Sequence, residues 1–346
     1  MPHIAVSYRD EGHGKGAFYD HLTLRNITGW QTKLVTSKAL PTIKFGSYIN
    51  LRQAEKRYGL PIYPTLPDEC CHYAEDAAFI FLPGYTRASD KNQPKSHIER
   101  IKFEQELIRK AKYRGQPVLA VCAGSWTLWQ AYGGEIEAVK DHNYGGAMPR
   151  ISKSSAKICN NKMIHDVKTE VGSFIHHAMF AKSKRNQTAV NSVHWQAVDA
   201  KSISKTNNLC ISAQSKKNDA IAPNSRQKKK MQPEHCVEAF ETIHGVPMLG
   251  VQWHPEAFNP KDKNASPHHG IFEAFKIAGK TYNNRRKLNR EFKKNWLENA
   301  FSEHLFFKPK NNYTREDPFE EVEHKLAELA ISKNEPELTY NSLPSI

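Results

Sequence analysis

At 346 residues the chain is long enough to bury one large core or two ordinary ones, and no apolar run is long enough to cross a bilayer. Six cysteines without a CxxC pair exclude a small disulfide-stapled scaffold and a zinc ribbon, and fit reduced thiols in a cytoplasmic protein. The formal charge of +14 is divided among Lys182-Lys184-Arg185, Lys228-Lys229-Lys230, Arg285-Arg286-Lys287 and Lys293-Lys294, which match no nucleic-acid-binding motif; a solvated basic surface is expected, with no specific nucleic acid and no membrane as partner.

The opening MPHIAVSYRD reads as a first strand, His3 to Tyr8, and not as a signal peptide, because Asp10 and Glu11 follow a short apolar stretch. Arg9 to Phe45 is polar, aromatic and irregular, with no assignable element. Tyr48 to Tyr58 has helical spacing that Gly59 ends, and LPIYPTL follows as a strand. Cys70-Cys71-His72 lacks the second ligand pair a zinc site needs. The continuous apolar run AAFIFL reads as a strand covered on both faces, His97 to Tyr113 as an amphipathic helix, and PVLAV as a second buried strand. Such alternation with short connections requires right-handed crossovers and gives an α/β three-layer sandwich around a mostly parallel sheet.

Four more strand-like runs follow: QTAVNSV, LCISAQS, CVEAFETI and PMLGVQW. The polar, basic residues 216–235 read as a surface insertion. A helix from His269 to Ala278 closes the sheet. The expected organisation is a domain over residues 1–280 and a charged, mainly helical extension with an acidic tail over 281–346, where Phe292, Trp296 and Phe301 offer docking groups.

Within PVLAVCAGSWTLWQAYGG, Cys122 stands between a buried strand and a helix, with Ala120 two before it and Gly124 two after. Small neighbours are what a strained strand-to-helix turn requires around a nucleophile, and the helix N-terminus lowers a thiol pKa. Taken alone, the pattern suits a buried structural cysteine equally well. In GVQWHPEAF, His254 and Glu256 are two apart on extended backbone, so the carboxylate can fix the imidazole tautomer. FLPGYTR ends a buried strand at Pro83-Gly84, where a flexible glycine can turn a backbone N–H toward an oxyanion shared with Ala123.

In this order, LPGY, PVLAVCAGSW with AYGG, VNSVHWQAVDA and VEAFETIHGVPMLGVQWHPE resemble the class I glutamine amidotransferase-like proteins, and within them the gamma-glutamyl hydrolases that include gamma-glutamyl-GABA hydrolase. The resemblance covers about His3 to Ala278, with the VNSxHxQ segment at Asn191, Ser192, His194 and Gln196. It implies a flavodoxin-like class I fold, Cys122 as nucleophile, His254 as general base and acid, and Glu256 as orienting carboxylate. It also implies an oxyanion hole from backbone N–H groups of Gly84 or Tyr85 and Ala123, with Trp126, His194 and Gln196 lining the substrate pocket; a structural role for His194 stays open.

The chain departs from the family at Ala120 and Ala123, at Gly84-Tyr85 in place of a double glycine, and at Trp126, where an indole cannot accept a hydrogen bond from the glutamyl group. The implied reaction is hydrolysis of a small gamma-glutamyl amide through a thioester, with no metal, no organic cofactor and a homodimer allowed. Two alternatives stand beside it: a glutaminase component delivering ammonia to a partner, and a fold-retaining interaction protein, such as a secreted bacterial effector, using the basic surface and acidic tail.

Overall fold

The computed structural model describes residues 2–8, 15–36, 74–84, 95–140, 142, 150–151, 158–159, 163–180, 183–220, 236–258 and 266–303. In chain order the elements are β1 (His3–Ser7), α1 (Lys15–Thr28), β2 (Gln31–Val35), β3 (Phe79–Leu82), α2 (Lys95–Arg114), β4 (Val118–Val121) and α3 (Ala123–Ala131). Then come β5 (Ile136–Ala138), β6 (Arg150–Ile151), β7 (Ile158–Cys159), β8 (His165–Thr169), α4 (Phe174–Phe180), β9 (Gln187–Val190) and β10 (Gln196–Val198). The last are β11 (Leu209–Ala220), β12 (Val237–Thr242), β13 (Met248–Val251) and α5 (Ser266–Glu303).

Nine strands form one mixed sheet in the order β2-β1-β3-β4-β13-β12-β11-β8-β9. From β2 to β13 neighbours run parallel; from β13 to β9 they run antiparallel. The two central strands show why their sequences are apolar throughout. Phe79 and Phe81 of β3, with Leu119 and Val121 of β4, join Leu24 of α1 and Ile271, Phe272 and Phe275 of α5 in one core. Ile80, Leu82, Val118 and Ala120 alternate to the other face and join Phe103, Leu107 and Ile108 of α2 with Trp126 and Trp129 of α3. A sheet with helices on both faces is the expected three-layer sandwich.

Several expectations change. Arg9 to Phe45 contains α1 and the edge strand β2, and β8 carries few apolar residues to mark it. Residues 216–220, read as the start of an insertion, instead continue β11, where Ala220 pairs with His165. The closing helix is far longer than His269 to Ala278 and runs unbroken through residue 280. Contacts divide the chain into Met1–Leu288 and Asn289–Ile346. In the second unit the described residues are helical to Glu303, with Phe292 71% exposed. The expected helix at Tyr48 to Tyr58, the strand LPIYPTL, Cys70-Cys71-His72, Lys182, Lys228-Lys229-Lys230 and the acidic tail lie outside the described residues. No described helix is long and apolar enough to cross a membrane.

One buried ion pair ties α2 to the end of β3. Arg100 and Glu104 are both buried and meet at 2.7 Å, and Arg100 also donates to the Pro83 carbonyl at 2.8 Å. The guanidinium thus meets one carboxylate oxygen and a strand-ending carbonyl together. Arg100→Met is expected to cost about 3–5 kcal/mol, because Glu104 is left as an unpaired buried charge. Urea denaturation should show that loss, with most of it recovered when Glu104→Leu is added.

Candidate functional site

Three adjacent parallel strands, β3, β4 and β13, end at one edge of the sheet and deliver Gly84, Cys122 and His254 to one place. The crevice beyond the carboxyl ends of parallel strands is where open α/β sheets carry their ligands.

Cys122 has φ 53° and ψ −119°, a left-handed backbone that a residue with a Cβ rarely adopts. Its surroundings impose the turn. The Cys122 N–H donates to the Val251 carbonyl at 2.8 Å, while its own carbonyl accepts from the Ser125 N–H at 2.9 Å and the Ser125 hydroxyl at 2.6 Å. Gly124 lies so close to β3 that an added Cβ would overlap the Leu82 carbonyl. Helix α3 starts at Ala123, directly after the cysteine, so the N–H groups of Ala123 and Gly124 precede any acceptor within the helix.

Gly84 closes the arrangement. A Cβ there would lie 2.9 Å from Cys122 Cβ, 3.2 Å from His254 Cε1 and 3.4 Å from Cys122 Sγ. The reason for glycine is therefore close approach and not the flexibility inferred from sequence: Gly84 is absent from the positive-φ positions. Tyr85 lies outside the described residues.

His254 caps the short 3-10 turn Pro255–Ala257, and its Nδ1 is 2.7 Å from Glu256 Oε1. Both side chains are buried. With Nδ1 committed to the carboxylate, Nε2 is left for the thiol. Burial opposes charge on this imidazole, but the Glu256 carboxylate and the Cys122 sulfur, which also hydrogen-bonds it, outweigh that effect and raise its pKa from 6.5 to about 10. Asn191 holds the backbone of the same residue from both sides: its Oδ1 accepts the His254 N–H at 2.8 Å and its Nδ2 donates to the His254 carbonyl at 2.9 Å. The sequence reading noted Asn191 in a motif but gave it no task.

The three residues expected to line a pocket are all buried, as Cys122 and His254 are. Trp126 is 2% exposed, packs in the core on the α2 side of the sheet and donates its indole N–H to Gln252 Oε1 at 2.8 Å. It stands one turn into α3, and its indole ties that turn to Gln252 just beyond β13. His194 and Gln196 are buried as well. His194 Nδ1 faces the Gln196 carbonyl at 3.0 Å, and its Nε2 points into a cluster with His142, His165, Cys236 and Glu238.

That cluster is the largest feature the sequence reading missed. Burial forces its members toward neutrality: it lowers the His165 pKa to about 3, lowers that of His194, raises Glu238 to about 8 and raises the Cys236 thiol. The charge on His254 contributes to the effect on His194, so the two groups of residues are electrostatic neighbours. Its five members are scattered from position 142 to 238, and the only local signal is the alternation Cys236-x-Glu238 on one strand.

The chain is similar to a Thermoplasma acidophilum protein assigned to GMP synthase as one of its subunits, at 14% identity over 83% of this chain and 98% of that one, TM-score 0.46. It is similar to the glutaminase domain of Trypanosoma brucei CTPS at 17% identity over 81% and 94%, TM-score 0.45. A glutamine amidotransferase from Thermotoga maritima shares 13% identity over 83% and 92%, TM-score 0.39. No curated protein matches the sequence. Residues 83–256, half of the chain, match the family Peptidase C26, and the matched span runs from the end of β3 to Glu256, so it includes Gly84, Cys122, Asn191 and His254. The chain therefore belongs to the Peptidase C26 family, and by that membership is a cysteine-type amide hydrolase.

Proposed function

We propose that the protein hydrolyses gamma-glutamyl amides of small molecules, with Cys122 as nucleophile, His254 as general base and acid and Glu256 as orienting carboxylate. The observation that carries this reading is the imidazole held between Glu256, at 2.7 Å, and the Cys122 thiol on its left-handed turn. The raised pKa of His254 favours a proton on the imidazole, ready for the departing amine.

The thiolate attacks the amide carbonyl carbon, and the carbonyl oxygen takes up the negative charge. Backbone N–H groups of Ala123 and of Gly84 or Tyr85 receive that oxyanion. His254 gives its proton to the departing amine as the C–N bond breaks, leaving a thioester on Cys122. A water molecule then attacks the thioester while His254 accepts its proton; the carboxylic product leaves and the sulfur regains its charge. The resemblance of the LPGY and VNSxHxQ segments to gamma-glutamyl hydrolases supports a gamma-glutamyl acyl group.

Cys122→Ala should abolish release of glutamate from a panel of gamma-glutamyl amides by at least about 10³-fold. Its thermal unfolding should match that of the parent, and iodoacetamide should label Cys122 before the other cysteines. Equal turnover by the variant would overturn the assignment.

Glu256→Gln removes the charge that favours the imidazolium, and should lower kcat/KM roughly 10³-fold or more. It should also change the dependence of stability on pH. A histidine whose folded pKa is raised from 6.5 to about 10 stabilises the fold fully below 6.5, and that contribution is lost as pH rises toward 10. Denaturation of the two proteins from pH 6 to pH 10 (about the window set by that shift) should show the stability gap narrowing.

A further inference from the structure

A buried group of side chains next to the proposed catalytic residues has no part in the hydrolytic reaction. His142 lies between β5 and β6, His194 between β9 and β10, and Cys236 and Glu238 at the start of β12. Each offers one ligand atom, and these atoms all lie within 4.8 Å of one another. Cys236 Sγ is 3.2 Å from Glu238 Oε1 and 3.7 Å from His142 Nε2. The same carboxylate oxygen is 4.0 Å from His194 Nε2, 3.9 Å from His142 Nδ1 and 3.3 Å from the Nε2 of a further imidazole, His165. All five residues are at most 3% exposed.

The hydrogen bonds around the group fix how the rings present themselves. His194 Nδ1 faces the Gln196 carbonyl at 3.0 Å, and a carbonyl only accepts, so the proton is on Nδ1 and Nε2 holds a lone pair. His165 Nδ1 faces the Asp166 carbonyl at 3.4 Å in the same sense. The Ser192 hydroxyl gives its proton to the His142 carbonyl at 2.7 Å, so toward His142 Nδ1, 3.4 Å away, it too can only accept. His194 and His165 thus carry Nδ1 protons directed at outer carbonyl acceptors. Among the described residues, Nε2 of His165 and His194 and Oε2 of Glu238 are buried with no hydrogen-bond partner. A carboxylic proton on Glu238 can reach only one of the two imidazole lone pairs, that of His165 Nε2 at 3.3 Å, so His194 Nε2, 4.0 Å from the same oxygen, is left an acceptor facing an acceptor.

A cation at the centre resolves the conflict, and an outer acceptor on the second ring nitrogen is what metal-bound histidines have. The geometry points to a structural zinc site formed by His142, His194, Cys236 and Glu238, with His165 against the ligand carboxylate. The donors are two imidazoles, one thiolate and one carboxylate, a mixture suited to zinc and too soft for magnesium or calcium. Tetrahedral zinc with bonds of about 2.0–2.3 Å sets its ligand atoms roughly 3.3–3.8 Å apart; the two Cys236 pairs, at 3.2 and 3.7 Å, are near that spacing, and the wider pairs, all within 4.8 Å, would draw in on binding. Charge also balances: thiolate and carboxylate together cancel a divalent ion, so the buried site is neutral overall. Binding releases the Cys236 proton and any proton on Glu238 to solvent, with no oxidation or reduction.

Four protein ligands leave no open position, so the ion's task is architectural. It links β12 to residue 142 and to the segment carrying Asn191, Ser192 and His194. Asn191 holds the His254 backbone on both sides, so the ion would fix the segment that fixes the imidazole. Cys122 takes no part, which separates this proposal from the hydrolytic one.

The test uses the full-length protein equilibrated with zinc, freed of excess by gel filtration and analysed for metal by mass spectrometry. One zinc per chain is expected, retained in Cys122→Ala. Replacement by cobalt should give the strong visible bands of a tetrahedral ion and a near-ultraviolet thiolate-to-cobalt band. Outer-shell changes alone cost metal sites about 10–100-fold in affinity; Cys236→Ser and His194→Ala should exceed that, and Cys236→Ser should also remove the thiolate band. A folded protein that takes up no stoichiometric zinc overturns the proposal. So does a cobalt spectrum without a thiolate band, or one lost in Cys122→Ala and kept in Cys236→Ser. Should Cys236→Ser fail to fold, Glu238→Gln replaces it, with the thiolate band kept and affinity lowered; unchanged affinity there equally overturns the site.

Discussion

The backbone of Cys122 is the constraint around which the rest is arranged. A left-handed conformation at a non-glycine residue persists only where neighbours leave no alternative. Here β3 and β13 flank β4 in register, Leu82 beside Ala120 and Val251 beside Val121. The Val251 carbonyl takes the Cys122 N–H and Ser125 takes its carbonyl, so the chain must turn sharply into α3. Gly124 makes this physically possible by letting α3 start against the Leu82 carbonyl. The sheet's parallel half does more than form a core; it sets the sulfur's direction.

The second organising element is polar and buried. His254 is held at its backbone by Asn191 and at its ring by Glu256, so both the position and the tautomer of the imidazole are determined. Such preorganisation requires burial, and burial penalises charge unless a partner offsets it. Around His254 the carboxylate and the sulfur supply that partner. Around Glu238 the Cys236 thiol gives one hydrogen bond, too little to outweigh burial, and this contrast distinguishes the two clusters chemically.

How much of this is legible in the sequence depends on what each segment buries. Strands β3 and β4 are apolar at every position because helices cover both faces, and α2 shows a clear helical period; all three can be read directly. Strand β8 cannot, because its sequence HDVKT buries His165 and Thr169 along with Val167. Polar residues in buried positions erase the hydrophobic period on which a reading relies. Edge strand β2, exposed at Gln31 and partly so at Lys33, is weak for the opposite reason. Cys122, His254 and Glu256 stand out because a small-residue turn and a close His-Pro-Glu carry local signals. The indole bond from Trp126 to Gln252 leaves no local mark, because sequence gives the residue type and not the direction of its ring. The His142 cluster leaves almost no trace, since its members come from separate elements that only folding brings together.

Gly84 bears on how such a site can be lost. The space beside it, bounded by the sulfur and the imidazole, is smaller than a methyl group needs, since a Cβ would stand 2.9 Å from that of Cys122. The smallest side chain would wedge thiol and ring apart while leaving every polar residue of the site in the sequence. A relative carrying alanine at this position would keep the whole Cys-His-Glu signature in its sequence and still be obstructed, so inspection of the reactive residues alone would misjudge it.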